Sequence, residues 1–395
     1  MYVSICFLDV YFIIFLKHSH SPLLMDYLEK IPTHKTDVQM YKLTGNGSKL
    51  TRYIATTPET RIITNQPEIF GMTYTRALTY AVQKTLEALP EAEQFKQWPD
   101  YEANAIVLLR GGLNYGLRNA LRKAYGYNKH STTFIVSQRS KNPETNEWNA
   151  DVQTYKQITI PKVVSFFLGD VIGTGTSIKK SLAALTKLME EVNVRTVRKF
   201  VVLTLGCSAG EHVLEEYDTY LRKTYPDYEG MVVVYFEGRF TLATTDMNIK
   251  LIDPGTDFLR VGALLAPEFL LMQYDQVYYP LEKCTNYDAG NRAFDILLYK
   301  REVQEYWARM LQEANNGFTL YDALLQRFPD HYDTKEQFFD EKKKQWKNVS
   351  EGLINQIWLA HQQRWNSHFI EYAKTTDALK KICMLRLEMI QNHEC

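Results

Sequence analysis

The chain has 395 residues, of which 45% are hydrophobic, and its 46 Lys and Arg are balanced by 46 Asp and Glu. This length allows a large core with a second unit beside it. Because the formal net charge is zero, no excess of positive charge attracts nucleic acid or an anionic membrane. We therefore expect neither as a partner.

The chain begins with the apolar run MYVSICFLDVYFIIFL. No basic residue precedes this run, Asp9 interrupts it, and it is shorter than a membrane span. We interpret residues 1–24 as an extension upstream of a better start at Met25, outside the fold. A membrane anchor is the alternative interpretation.

The cysteines show neither a C-x-x-C pair nor the spacing of a zinc site. This pattern is typical of reduced thiols in the cytoplasm, which is where we expect the protein. The five residues are Cys6, Cys207, Cys284, Cys383 and Cys395.

A first strand, loop and helix follow a helix predicted over 68–89. Residues 105–109 are apolar and predict a strand, and a helical stretch runs over 115–125. Between them stand Arg110, Gly111 and Gly112. A flexible backbone beside a permanent positive charge is suited to binding a pyrophosphate. An ordinary strand-to-helix turn also uses adjacent glycines, so both interpretations stay open.

The next predicted strand, 133–137, leads into a polar stretch over 138–157 that lacks periodicity. Structureless stretches of this length are uncommon inside a domain and are typical of lids or binding loops. We therefore predict a lid over 138–157.

Residues 163–188 read VVSFFLGDVIGTGTSIKKSLAALTKL, which predicts a buried strand, a tight turn and an amphipathic helix. Gly173 and Gly175 let backbone N–H groups converge on phosphate oxygens at the helix N-terminus. The hydroxyls of Thr174, Thr176 and Ser177 add hydrogen-bond donors.

A carboxylate repels phosphate, so Asp170 is better suited to sugar hydroxyls or to water around a magnesium ion. The turn therefore predicts a sugar-phosphate site. It lacks the lysine of a Walker A loop, and a dinucleotide loop would need an acidic residue about 20 residues further on. A plain strand-to-helix turn with a Thr or Ser cap is the alternative.

The segment 166–177, FFLGDVIGTGTS, resembles the phosphoribosyl-diphosphate motif of type I phosphoribosyltransferases. That motif is an apolar strand, two acidic residues, a short apolar step and a phosphate loop. Gly169 stands where the family has its first acid. Gly173 replaces a carboxylate of the purine-specific members.

The resemblance implies a role for each matching residue. The substrate-binding residues would be Arg110, Gly111 and Gly112 for pyrophosphate, Asp170 for the ribose hydroxyls, and Gly173, Thr174, Gly175, Thr176 and Ser177 for the 5′-phosphate, with Val171 as a further substrate-binding residue between them. Residues 138–157 would be the family's catalytic loop. The catalytic residues would then be Asp170, Arg139 and Lys141, the last two neutralising the leaving pyrophosphate.

The resemblance also implies the reaction. The protein would transfer the phosphoribosyl group from phosphoribosyl diphosphate to a nitrogenous base and release pyrophosphate. Mg²⁺ would be the cofactor, held through substrate and water and not by protein ligands. The resemblance leaves room for a homodimer. A non-catalytic ligand sensor on the same fold is the first alternative, because one acid is missing.

A competing motif follows the predicted strand 199–205. Residues 206–210 read GCSAG, a G-x-S-x-G pattern typical of the nucleophile elbow of serine hydrolases. Ser208 would be the nucleophile of this second alternative. The base would have to follow in the chain, and we consider His331, His361, His368 and His393 for that role.

With a further apolar run at 231–236, the pattern gives at least five strands separated mostly by helices. This predicts an α/β fold with a doubly wound, mainly parallel sheet of the type I phosphoribosyltransferase kind, followed by an α-helical C-terminal region. We place the α/β domain at 25–287 and the helical region at 288–395. Ligands of such sheets bind at the carboxyl ends of the strands.

Overall fold

A computed structural model describes residues 26–45, 47–109, 111–141, 148–154, 159–283 and 295–392, with the backbone alone for 137–141 and 148–154. Within these residues one sheet contains eleven strands. In chain order they are β1 (Tyr27–Ile31), β2 (Gln39–Thr44), β3 (Thr51–Thr56), β4 (Ala103–Leu109), β5 (Ser131–Lys141), β6 (Trp148–Thr154), β7 (Val163–Ile172), β8 (Thr196–Cys207), β9 (Met231–Leu242), β10 (Phe258–Leu265) and β11 (Trp346–Lys347).

The described residues also form thirteen α-helices. They are α1 (Pro58–Asn65), α2 (Gly71–Ala88), α3 (Ala92–Gln97), α4 (Leu117–Tyr125), α5 (Thr176–Glu191), α6 (Ser208–Thr224), α7 (Pro267–Met272), α8 (Ile296–Asn315), α9 (Leu320–Arg327), α10 (Lys335–Gln345), α11 (Glu351–Arg364), α12 (Ser367–Ala373) and α13 (Thr376–Asn392).

The strand order is β11-β1-β2-β3-β9-β8-β7-β4-β5-β6, with β10 paired to β9. The run from β3 to β5 is parallel throughout. Its strands β7 and β8 are buried along almost their whole length, as expected for strands covered on both faces. The prediction of a mainly parallel α/β sheet is confirmed for this centre. Antiparallel pairs flank this centre, joining β1 to β2, β2 to β3, β9 to β10 and β5 to β6, so the sheet as a whole is mixed and mostly parallel.

The prediction of a structureless lid over 138–157 is wrong for the strand residues it contains. β5 continues to Lys141 and pairs antiparallel with β6, with Arg139 opposite Ala150 and Lys141 opposite Trp148. Polar residues occupy both faces of these strands, so the alternation that reveals a half-buried strand is missing from the sequence. Residues 142–147 and 155–158 lie outside the described part of the chain.

The C-terminal region is helical apart from one short strand. In that strand, Trp346 pairs with Leu28, so β11 extends the sheet beside β1. Helix α13 packs along α8, and α11 packs against α7. The predicted helical character is therefore present, while the domain limits at 25–287 and 288–395 stay predictions.

A buried ion cluster joins α13 to the rest of the protein. Arg386 is fully buried and contacts Glu68 at 2.8 Å and Glu282 at 2.6 Å. The indole N–H of Trp307 donates to the other oxygen of Glu282 at 3.1 Å. Burial raises the pKa of Glu282 to about 7, against the opposing charge of Arg386. The cluster brings together the chain before α2, the chain after α7 and two C-terminal helices.

Replacing Arg386 by Met tests this anchor. The change leaves two carboxylates buried without their cation, so we expect a loss of about 3–5 kcal/mol in the free energy of unfolding. Lys179→Met is the control, because Lys179 and its partner Glu216 are both exposed. It should cost less than about 1 kcal/mol. Urea unfolding measures both variants, and equal effects would contradict the anchoring role.

Candidate functional site at the carboxyl edge of the sheet

The turn between β7 and α5 has the geometry of an anion cradle. Gly175 precedes α5 in the left-handed region at φ 82°, and no side chain caps the helix. The Thr174 hydroxyl lies 2.9 Å from that of Thr176 and accepts a hydrogen bond from the Thr176 N–H at 3.3 Å. Both threonines are half-buried. Hydroxyls and helix N–H groups therefore cluster at a helix N-terminus, where the helix dipole favours an anion.

The second predicted loop lies directly beside this turn. Strand β4 is the neighbour of β7, with Val107 opposite Gly169, and a short 3₁₀ turn over 111–115 follows β4. A Cβ atom at Gly112 would lie 3.1 Å from the carbonyl oxygen of Gly169. This approach is closer than most side chains tolerate, which explains a glycine at 112.

Tyr115 locks the two loops together. Its side chain is fully buried, its hydroxyl donates to the backbone carbonyl of Asp170 at 2.8 Å, and the N–H of Leu205 donates to it at 3.3 Å. The ring lies against Gly169, where a Cβ atom would be 2.5 Å from Cγ of Tyr115. One side chain therefore connects the turn after β4 with strands β7 and β8.

This contact explains the missing acid at position 169. The space that a carboxylate side chain would enter is filled by the Tyr115 ring. Asp170 is the next residue along β7 and is half-buried at the same edge. Asp170 is the acidic residue of β7, so it supplies the carboxylate that this strand places at the edge of the sheet.

Gly210, the second glycine of the G-x-S-x-G pattern, packs helix α6 against the cradle. A Cβ atom at Gly210 would collide with the side chain of Ile172 and lie 2.9 Å from the carbonyl oxygen of Gly173. A Cβ atom at Gly175 would lie 2.7 Å from Val213 of the same helix. Close contact between α6 and the turn therefore accounts for these glycines.

A buried ion pair holds α6 in this position. Glu211 in its first turn contacts Arg52 of β3 at 2.6 Å and accepts a hydrogen bond from the Tyr235 hydroxyl of β9 at 2.7 Å. Arg239 also contacts Glu211, at 3.4 Å. Side-chain contacts from two strands, β3 and β9, therefore fix the helix that supports the cradle.

Ser208 does not have the geometry of a nucleophile elbow. A nucleophile on such an elbow sits in a strained turn, whereas Ser208 is the exposed first residue of α6 and is not among the described non-glycine residues with positive φ. No histidine forms a hydrogen bond with Ser208 within the described residues.

The candidate base histidines lie elsewhere among the described residues. His361 stacks on Trp358 at 5.2 Å between ring centroids, and its Nε2 accepts the N–H of Tyr332 at 3.3 Å. Burial lowers the pKa of His361 to about 4. His331 packs against Trp365 in the same aromatic cluster, and His368 is exposed on α12. His393 lies outside the described residues.

The remaining predicted site residues fall as follows. Val171 is half-buried and packs against the core, and Ser177 is buried in the first turn of α5. Arg110 lies outside the described residues. Arg139 and Lys141 belong to β5, where the backbone alone is described. Their catalytic and binding roles stay predictions.

Tyr115 is the residue that the sequence analysis missed. The signal was Gly169 itself. A glycine inside an otherwise bulky, buried strand marks a place where another group approaches closely. The sequence shows the gap but not which of the aromatic residues fills it.

The described residues contain neither a metal-binding cluster nor a membrane-spanning helix. No group of three or more His, Cys, Asp or Glu is arranged to hold a metal ion there. No described helix is long and apolar enough to cross a membrane. Asp170 is the acidic residue of β7, and its carboxylate could meet a magnesium ion directly or through water.

No family model and no curated protein matches the chain. Among solved structures it is similar to a purine phosphoribosyltransferase from Pyrococcus horikoshii, with 14% identity and a TM-score of 0.23 over 40% of this chain and 86% of that one. It is also similar to a hypoxanthine phosphoribosyltransferase from Trypanosoma cruzi in a ternary substrate complex, with 14% identity and a TM-score of 0.23 over 45% and 87%. Likenesses at this level carry no argument about function.

Restoring the missing acid tests the contact between Tyr115 and Gly169. In Gly169→Asp the new side chain must displace a buried ring, so we expect a loss of about 3 kcal/mol or more in the free energy of unfolding. In a Tyr115→Ala background the space is open, and the same substitution should cost about 1–3 kcal/mol less.

Gly352→Ala is the matched control, because nothing lies within 4 Å of a Cβ atom there. This helical glycine should tolerate alanine with a gain of up to about 1 kcal/mol. Chemical unfolding of the four variants completes the cycle. Strictly additive effects at positions 115 and 169 would contradict the proposed contact.

Proposed function

We propose that the protein binds phosphoribosyl diphosphate with Mg²⁺ at this edge and transfers its phosphoribosyl group to a nitrogenous base, as the type I phosphoribosyltransferases that it resembles do. One observation carries the proposal. The turn over 173–177 and the turn over 111–115 are adjacent, locked by Tyr115, with Asp170 beside them. A ligand with a phosphate at one end and a pyrophosphate at the other requires two such anion sites a sugar apart.

Each group then has a specific role. The amides and hydroxyls of 173–177 bind the 5′-phosphate, and Asp170 accepts hydrogen bonds from ribose hydroxyls. The backbone at Gly111 and Gly112, with Arg110 before them, binds the pyrophosphate. We assign Val171 to the wall of the ribose site.

The reaction breaks the bond between ribose C1 and the pyrophosphate oxygen, which keeps the electron pair. A lone pair of the base nitrogen forms the new bond to C1, and a proton on that nitrogen passes to the leaving pyrophosphate or to water. Mg²⁺, when bound, neutralises charge on the pyrophosphate. In this proposal Arg139 and Lys141 add positive charge as the pyrophosphate leaves. We also propose a cytoplasmic location, because the spacing of the cysteines in the sequence is typical of reduced thiols.

A ligand sensor without turnover is the second candidate. The observation that favours it is the Tyr115 ring in the space of the first acid, since this leaves Asp170 as the single carboxylate that β7 offers to the ribose. Such a site would bind the donor yet hold its sugar less firmly during bond breaking.

Calorimetric titration with phosphoribosyl diphosphate and Mg²⁺ tests the binding step. The double variant Thr174→Val/Thr176→Val loses two hydroxyls that face the phosphate, and hydrogen bonds to charged groups contribute about 1.5–3 kcal/mol each. We expect its affinity to fall at least tenfold. Thr219→Val, an exposed threonine on α6, should bind like the wild type. Unchanged affinity in the double variant would contradict the site.

Release of pyrophosphate across a panel of purine, pyrimidine and pyridine bases separates the enzyme from the sensor. The proposed transferase releases pyrophosphate with at least one base in the presence of Mg²⁺. Donor binding without release for any base supports the sensor. Labelling of Ser208 by a fluorophosphonate would instead support a serine hydrolase, and we expect no such labelling.

A further inference from the structure

A groove with a volume of about 480 Å³ opens between helix α4 and strand β5. We infer that this groove is a second ligand site, separate from the cradle at 173–177, and that it takes a nucleoside phosphate. Its size lies in the range of small-molecule sites, and it is larger than a bare phosphate needs. The inference does not depend on the transferase reaction, because it concerns different side chains.

The polar wall of the groove is cationic. Arg118 and Arg122 lie one turn apart on α4, both line the groove, and both are exposed. Neither forms an ion pair with a carboxylate of the described residues, and no acidic side chain is among the groove's lining residues. Two guanidinium groups at this spacing can bind successive oxygens of a phosphate or diphosphate.

The start of helix α4 adds to this preference for anions. Gly116 precedes the helix in the left-handed region at φ 56°, and no side chain caps the helix. Gly116 itself lines the groove. The first N–H groups of the helix therefore lie at the groove, beside Arg118 in the first turn, and they favour a negative charge.

A buried histidine at the base of the groove is the independent sign of a ligand. His130 lines the groove and is 6% exposed, and within the described residues its ring nitrogens make no hydrogen bond of good geometry, only weak contacts with the backbone of Arg118 and Tyr127. Unsatisfied buried nitrogens are rare in native proteins and call for an explanation. The neighbouring carboxylate of Asp100 bonds instead to the N–H groups of Asn128 and Lys129.

The groove also has an apolar and aromatic lining. Val107 and Leu117 are buried there, while Phe134 of β5 lines the groove with 39% of its surface exposed. An exposed ring beside a cationic wall suits a ligand with a flat aromatic part and a charged part, because bases stack on aromatic side chains. A nucleobase and its phosphate provide both.

The groove reaches the donor turn at one corner. Gly112 lines the groove, and it is also the glycine whose missing Cβ lets the backbone approach Gly169. The rest of the groove lies further down the sheet, since Val107 and Phe134 are paired two residues before β4 ends. A ligand in the groove would therefore contact the 111–115 turn without occupying the 173–177 cradle.

Calorimetric titration with ADP tests the site, with adenosine as the probe that lacks phosphate. We expect saturable ADP binding to the wild type and at least tenfold weaker binding to Arg118→Ala/Arg122→Ala. Lys123→Ala, an exposed cation on α4 that does not line the groove, should bind ADP like the wild type. The Thr174→Val/Thr176→Val variant should keep its ADP affinity, and adenosine should bind more weakly than ADP.

Three results would overturn the inference. The first is no ADP binding to folded wild-type protein, or equal binding by the double arginine variant. The second is loss of ADP binding in Thr174→Val/Thr176→Val alone, which would place the nucleotide in the cradle. The third is a wild-type dimer that Phe134→Asp converts to folded monomers while neither form binds ADP, which would assign the groove to a second copy of the chain.

Discussion

The contact between the Tyr115 ring and the backbone of Gly169 is the constraint on which the candidate site depends. It joins the turn after β4 to β7, and the tyrosine hydroxyl extends the connection to β8 through the N–H of Leu205. Because the ring is fully buried, the relative position of the two turns is set by core packing and not by a ligand. The same ring fills the space that an acidic side chain at position 169 would need. The Tyr115 ring therefore both fixes the two turns and prevents a carboxylate at position 169.

Helix α6 supports the cradle from the other side. Its Gly210 lets the helix approach the backbone at Gly173, and its Glu211 is fixed by buried contacts to Arg52 and Tyr235. Packing therefore accounts for Gly210 of the G-x-S-x-G pattern, which lies against the backbone of Gly173, while Ser208 is exposed. The cradle lies between helix α6 and the turn that precedes α4. Tyr115 joins that turn to β7 and β8, and Glu211 joins α6 to β3 and β9.

The sequence predicted the parts of the structure whose signals are local. Continuous apolar runs marked the buried central strands, and the glycines and hydroxyls after Phe167 marked the turn at its observed place. The β5–β6 hairpin could not be predicted because its polar residues do not alternate with apolar ones. The antiparallel flanks could not be predicted because the sequence of a single strand does not determine its pairing direction. Tyr115 contacts Gly169 although the two residues are 54 positions apart in the sequence. Local patterns cannot predict a packing contact over such a separation.

The most direct test of the central claim is a crystal structure with phosphoribosyl diphosphate and Mg²⁺ bound. The account predicts the 5′-phosphate within hydrogen-bond distance of the amides and hydroxyls of Thr174, Thr176 and Ser177, with the pyrophosphate at Gly111 and Gly112 and Tyr115 unmoved. Density for the donor at any other place, with this edge of the sheet left empty, would contradict it.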